Sequence, residues 1–169
     1  MSPSNYRNDA LKAKKKLQEV SPTMCLAKWN QTSLHLPTGM TNSCYHPPLH
    51  EIDATELADN PAALHNTKEK QRQRQQMLKG ERPEGCSYCW NMEKTGEMSD
   101  RHYRSGEPWA MQDFEDIRKN PIDEHWTPRY VEVNFNNACN LKCSYCSPQF
   151  STTWGKEIDR YGQYPTSPP

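Results

Sequence analysis

Seven cysteines are spread unevenly along this chain of 169 residues. Three of them form Cys139-Asn-Leu-Lys-Cys143-Ser-Tyr-Cys146, a C-x3-C-x2-C run directly after a strand-like segment. Three thiolates in one loop can each bind a different iron of a cubic 4Fe–4S cluster and leave the fourth iron without a protein ligand. An open coordination position is where a substrate or cofactor binds, by the logic that separates catalytic from structural zinc sites. The competing reading is a zinc knuckle completed by a distant histidine. A second motif, Cys86-Ser-Tyr-Cys89-Trp90, has the C-x2-C spacing shared by zinc ribbons, redox motifs and clusters. Cys25 precedes an expected hairpin and Cys44 ends it. Together with the C-x2-C pair they suffice for a tetrahedral four-thiolate site or a fully ligated 4Fe–4S cluster. If so, their sulfurs lie within roughly 4–7 Å of one another, the span of a cubic cluster. The competing reading makes Cys25 and Cys44 ordinary small buried residues.

Around these cysteines stand groups with weaker signals. His46 and His50 flank Cys44 in a proline-rich loop and read as loop or supporting residues, with replacement of a thiolate on a metal as the alternative. His35 sits on a strand and reads as structural, while His65, His102 and His125 have no visible partner. Trp29, Trp90 and Trp109 either wall the cysteine site or simply pack in a core. The Lys14-Lys15-Lys16 run and the Arg72, Arg74, Lys79 and Arg82 group read as solvated faces, not phosphate sites.

The elements that must position the cysteines are short. A helix is expected over Ala10–Val20, capped by Asn8 or Asp9, with Leu11 and Leu17 as its apolar positions and Ser21-Pro22 as its stop. Thr32–Leu36 and Met40–Cys44 flank Pro37-Thr-Gly39 as two strands and a turn. Asn66–Lys79 is the strongest helix, with Gly80 at its C-terminal stop. Its faces are polar almost all round, so it needs tertiary support. A short helix is expected over Asp113–Lys119, in a stretch from Pro108 to Pro128 that otherwise reads as linker. Tyr130-Val-Glu-Val-Asn-Phe135 alternates like a strand, and a helix follows from about Ser151 to Tyr161. That strand is apolar enough to expect parallel neighbours on both sides, yet no second good strand follows it.

Composition narrows the function classes. The hydrophobic fraction is 33%, with 14 prolines and a mean hydropathy of −1.11, so a large apolar core is not expected. Lys+Arg and Asp+Glu number 21 each, which argues against nucleic-acid binding by bulk phosphate attraction. No apolar run approaches the ~18 residues of a membrane span. Met1-Ser-Pro-Ser-Asn-Tyr6 opens no signal peptide, so a reducing, cytoplasmic setting is expected, in which cysteines serve metals or redox chemistry.

The C-x3-C-x-aromatic-C pattern of Cys139, Cys143, Tyr145 and Cys146 resembles the defining motif of the radical S-adenosylmethionine (SAM) enzymes. The resemblance implies that the three cysteines hold a 4Fe–4S cluster and that SAM chelates its open iron. It implies further that Tyr145 lies beside the adenine, and that reductive cleavage of SAM yields a 5′-deoxyadenosyl radical for hydrogen abstraction. Met24-Cys-Leu-Ala-Lys-Trp29, Asn42-Ser-Cys44, Arg74-x-x-Met77-Leu-x-Gly80-Glu-Arg-Pro83, Cys86-x-x-Cys89-Trp90, Glu93 and Ser99-Asp-Arg101 follow one order. That order is similar to an N-terminal twitch-type auxiliary-cluster domain in a bacterial and phage group of that family. Pro148, Ser151, Trp154 and Glu157 fit it too. By this resemblance Cys25, Cys44, Cys86 and Cys89 would be the ligands of a second, auxiliary 4Fe–4S cluster.

The resulting expectation is an α+β chain. A small cysteine-rich N-terminal domain with a β-hairpin and short helices precedes the first β-α unit of a partial (β/α) barrel. Residues 1–21 form an N-terminal helix or tail, 22–107 the twitch-like domain, 108–128 a linker, and 129–169 an incomplete start of the radical SAM core. The chain reads as truncated within that core, and alone it is expected to lack catalytic activity. Expected partners are SAM, a reductant such as flavodoxin or ferredoxin, and a peptide or nucleotide-derived small-molecule substrate, in a bacterial cell or phage-infected host. The alternative is a zinc-binding interaction or nucleic-acid module with two cysteine sites.

Overall fold

A computed structural model of the chain describes residues 3–164. The expected proline-rich end, 165–169, and residues 1–2 lie outside the described residues. The chain is mixed α+β, with nine helices and one small four-stranded sheet among the described residues.

Helix α1, Pro3–Gln18, begins earlier than expected. It buries Ala10, Ala13 and Leu17, spaced three and four apart on one face, while Leu11 points away and is 44% exposed. Of the two apolar positions expected for this helix, only Leu17 is buried. The α1 face packs on α6, Asp100–Gly106. The two backbones come so close that a Cβ on Gly106 would stand 3.0 Å from the backbone of Asp9 and Ala10, so a larger residue would have to push the two helices apart by a few tenths of an ångström. After α2, Ala27–Asn30, the chain enters β1, Gln31–His35. A 3-10 turn over Leu36–Thr38 and Gly39, at φ 64°, reverses it into β2, Met40–Asn42, with Ser33 opposite Asn42. The expected hairpin is thus present. Strand β3, His50–Glu51, extends the antiparallel side.

Helix α3, Ala54–Asp59, leads to α4, Lys68–Leu78, capped by Thr67. The polar α4 finds its tertiary support by burying Lys70, Gln73, Arg74 and Met77. Arg74 is 3% exposed, so the arginine-rich group is not wholly a solvated face as expected. Its guanidinium lies 5.5 Å over the Trp29 ring, and that aromatic cover draws it inward. Helices α5, Ser87–Lys94, and α6 were not expected. They are short, and α6 is opened by an unusual box in which Ser99 pairs with His102 where Glu or Gln normally stands.

In the stretch otherwise expected as linker, α8, Phe114–Lys119, is the expected short helix, while α7, Pro108–Met111, was not expected. Ala110, Phe114 and Ile117 from these helices join Leu17, Met24, Leu26 and Trp29 in the main core. Their three- and four-residue spacing buries one face even in helices this short. Strand β4, Tyr130–Asn134, then pairs in parallel with β1, with Gln31 opposite Tyr130 and His35 opposite Asn134, giving the order β3-β2-β1-β4. β4 therefore has one neighbour, not the two expected. It stands at the sheet edge, and Val131 is 52% exposed. Helix α9, Thr152–Tyr161, closes the described chain.

Candidate functional site

Cys25 lies in the turn before α2, Cys44 just beyond β2, and Cys86 and Cys89 at the start of α5. These three segments are far apart in sequence, yet all four cysteines line one cavity. The hairpin returns Cys44 toward the start of β1, where Cys25 already sits, and α5 closes over both. Cys25, Cys86 and Cys89 are each 7% exposed and pack with Ala27, Met77 and Trp90, with Trp109 against them. Trp90 and Trp109 thus wall the cysteines, whereas Trp29 belongs to the main core and donates to the Pro121 carbonyl at 2.8 Å.

The thiols sit in a setting that opposes free charge. Burial, and then the neighbouring thiols of Cys44, Cys89 and Cys86, push Cys25 up to about 12. Burial pushes Cys89 up to about 11, against the backbone N–H of Arg101, which donates to its sulfur. Cys44 is also raised by burial, opposed by the Lys28 ammonium and by the N–H of His46. Backbone N–H bonds to sulfur are a device that tunes thiolate-bound metal groups.

Beside the cysteines, the cavity is lined by Ala27, Tyr45, Pro47 and Met77 and by the side chains of Lys28, Arg101, Arg104, Asp100 and His46. Arg101 is fixed by Glu93, accepting at 2.9 and 2.7 Å, and by the Met24 carbonyl at 2.7 Å. His46 stacks on Tyr88 at 3.9 Å and pairs its Nε2 with Asp100 at 2.7 Å, which holds it as a supporting loop residue. His50 bonds Thr67, His65 meets the Trp126 carbonyl, and His102 caps α6. The sequence reading did not single out Lys28. Its signal was a lone charge inside the otherwise apolar Met24–Trp29 run.

Cys139, Cys143 and Cys146 lie together on the loop after β4, each partly exposed. The first turn of α9 shapes that loop. The hydroxyls of Ser151, Thr152 and Thr153 donate to the Cys139 carbonyl at 3.3, 3.2 and 3.1 Å, and Trp154 Nε1 donates to the Cys143 carbonyl at 3.1 Å. Lys142 is tied to Glu157 of the same helix. Tyr145 is 91% exposed beside Cys143. Because β1 and β4 are parallel, this loop leaves the end of the pair opposite the four-cysteine cavity, a separation on the order of 16 Å along five residues of strand.

Among the described residues, no group of three or more His, Cys, Asp or Glu side chains surrounds a common point as the ligands of one metal ion do. The four cysteines ring a cavity instead. No helix among the described residues is long and apolar enough to cross a membrane. No family model, curated protein or solved structure matches the chain.

Proposed function

We infer that this is an iron–sulfur protein of the radical SAM type. Cys25, Cys44, Cys86 and Cys89 hold an auxiliary 4Fe–4S cluster, and Cys139, Cys143 and Cys146 hold the SAM-binding cluster. In this reading the N-terminal part is a twitch-like domain, and β4, its loop and α9 are the first β-α unit of a partial (β/α) barrel. The observation that carries it is that four cysteines from three separate segments line one cavity.

The donor set fits. Four soft thiols suit iron–sulfur groups or zinc. A cubic cluster presents its irons over a volume rather than at a point, so its ligands surround a cavity. Lys28, Arg101 and Arg104 among the lining residues would offset the negative charge of metal-bound thiolates. When bound, the cluster held by Cys139, Cys143 and Cys146 would supply the electron for reductive cleavage of SAM. The chain's own residues do the rest. Ser151, Thr152, Thr153 and Trp154 pin the cysteine loop, and the exposed Tyr145 ring offers a flat face for adenine.

The test is anaerobic reconstitution with iron and sulfide, followed by iron counting, electron paramagnetic resonance of the reduced protein and addition of SAM. About eight irons are expected per chain, falling to about four in Cys86→Ala and in Cys143→Ala. SAM should perturb the resonance in Cys86→Ala and not in Cys143→Ala. A colourless protein that takes up only zinc at both cysteine sets would overturn the reading.

A further inference from the structure

Behind the four-cysteine cavity the chain buries three basic side chains. Lys28 and Lys70 are each 1% exposed and Arg74 is 3% exposed. Burial of a charge is costly unless an opposite charge or a full set of hydrogen bonds offsets it. Among the described residues, none of the three forms an ion pair with a carboxylate. Lys70 is satisfied by neutral oxygens, donating to Thr32 and Thr41 at 2.6 and 2.8 Å and to the His65 carbonyl at 3.1 Å. Arg74 donates to the Lys28 carbonyl at 2.8 Å and to Asn66. Lys28 has a single side-chain partner, Oε1 of Gln73. Gln73 in turn donates to Glu69 at 2.7 Å, and Arg72 already holds that carboxylate by two bonds.

Lys28 differs from the other two in position. It alone of the three lines the cysteine cavity. Arg74 grips its backbone from behind, so the side chain is held between Gln73 and the thiols.

We propose that Lys28 is the internal counter-charge of the four-cysteine site: its buried ammonium offsets the net negative charge of the metal-bound thiolates of Cys25, Cys44, Cys86 and Cys89, and so sets how tightly the metal group is held and how readily it accepts an electron. The proposal rests on the reading of this cavity as a metal–thiolate site. Each thiolate brings one negative charge, and a four-thiolate metal group keeps a net negative charge in both oxidised and reduced states. A cation on the wall therefore favours the loaded over the empty site, and the reduced over the oxidised form. Lys28 acts here as a positioning and charge-setting residue, not as a ligand.

The experiment compares the full-length chain with Lys28→Gln, Lys28→Met and Lys70→Met, all reconstituted anaerobically in a Cys143→Ala background so that only this site titrates. Lys28→Gln removes the charge and keeps a polar side chain. Lys28→Met removes both. Lys70→Met deletes an equally buried lysine that does not line the cavity. Circular dichroism identifies the folded variants. The readouts are the midpoint potential and the rate at which EDTA strips the metal. Folded Lys28 variants are expected to have a more negative potential and to lose metal about tenfold faster, as loss of an outer partner typically does. Lys70→Met is expected to change both less. Unchanged potential and stripping rate in a folded Lys28→Gln or Lys28→Met, or equal changes in Lys70→Met, would overturn the proposal. If the parent chain takes up zinc and no iron, the iron–sulfur reading fails. The counter-charge role is then decided by zinc loss to EDTA alone, which must again be faster without Lys28.

Discussion

Arg129 grips Asp113 through two parallel hydrogen bonds, Nε to Oδ2 and Nη2 to Oδ1, both 2.8 Å long. Asp113 is 4% exposed and also accepts from Asn30 Nδ2 at 3.0 Å, while the Arg129 N–H donates to the Asn30 carbonyl at 2.9 Å. Asn30 immediately precedes β1 and Arg129 immediately precedes β4. One carboxylate thus brackets the two residues at which the parallel register begins, and through β4 it positions the C-x3-C-x2-C loop.

Replacement Asp113→Ala should therefore loosen β4 selectively. A cost of about 1–3 kcal/mol is expected, since Arg129 is partly solvated and Asn30 Nδ2 loses one buried acceptor while keeping the Ala110 carbonyl. Hydrogen exchange should accelerate at the amides of Tyr130–Asn134 and remain slow in α4. Uniform acceleration across both elements would show that Asp113 supports the whole fold rather than the β1–β4 junction.

The Glu93–Arg101 pair behaves differently because both partners are enclosed, with side chains 16% and 5% exposed. Glu93→Ala leaves the Arg101 guanidinium uncompensated against the cysteine cavity. The expected loss is about 3–5 kcal/mol in denaturant unfolding, with Glu93→Gln less costly because it keeps an acceptor. Equal losses in the two variants would mean that charge, not hydrogen bonding, dominates.

Lys70 imposes a pH dependence. Burial, and then the nearby Arg74 and Lys28, lowers its pKa to about 6. The unfolded chain keeps that proton up to about pH 10, so between these limits the unfolded state binds more protons and stability rises with pH. The wild-type minus Lys70→Met difference in unfolding free energy should therefore grow, in favour of wild type, from pH 6.5 to 9. A rise of about 1–3 kcal/mol is expected after allowance for screening. A flat difference would mean that the lysine keeps its proton in the fold.

Thiol reactivity should separate the two cysteine sets in the native, metal-free protein. The thiolate is the nucleophile; burial raises the thiol pKa of Cys25 and Cys89 and blocks access to Cys25, Cys86 and Cys89. Iodoacetamide at pH 8 should modify Cys139, Cys143 and Cys146 well before Cys25, Cys86 and Cys89. Peptide mass spectrometry over a time course reads the order. Early labelling of Cys25 would contradict its enclosure.

Several elements were legible in the sequence for local physical reasons. The Gly80 stop of α4, the Pro37–Gly39 reversal, the alternation of Tyr130–Phe135 and the helix from about Ser151 are each written in a few adjacent residues. The grouping of Cys139, Cys143 and Cys146 on one loop is likewise a matter of spacing alone. Tertiary structure decided the rest, because it depends on pairs remote in sequence. Cys25 reaches Cys86 only once the hairpin and α5 have packed. β4 finds β1 across some hundred residues, through a carboxylate on the connection between α7 and α8. Nothing local marks Lys70 or Arg74 for burial, and Lys28 carries only the faint mark of a lone charge in an apolar run. What draws them inward is the neutral oxygen cage, the Trp29 ring and the cysteine cavity, surroundings that exist only in the folded chain.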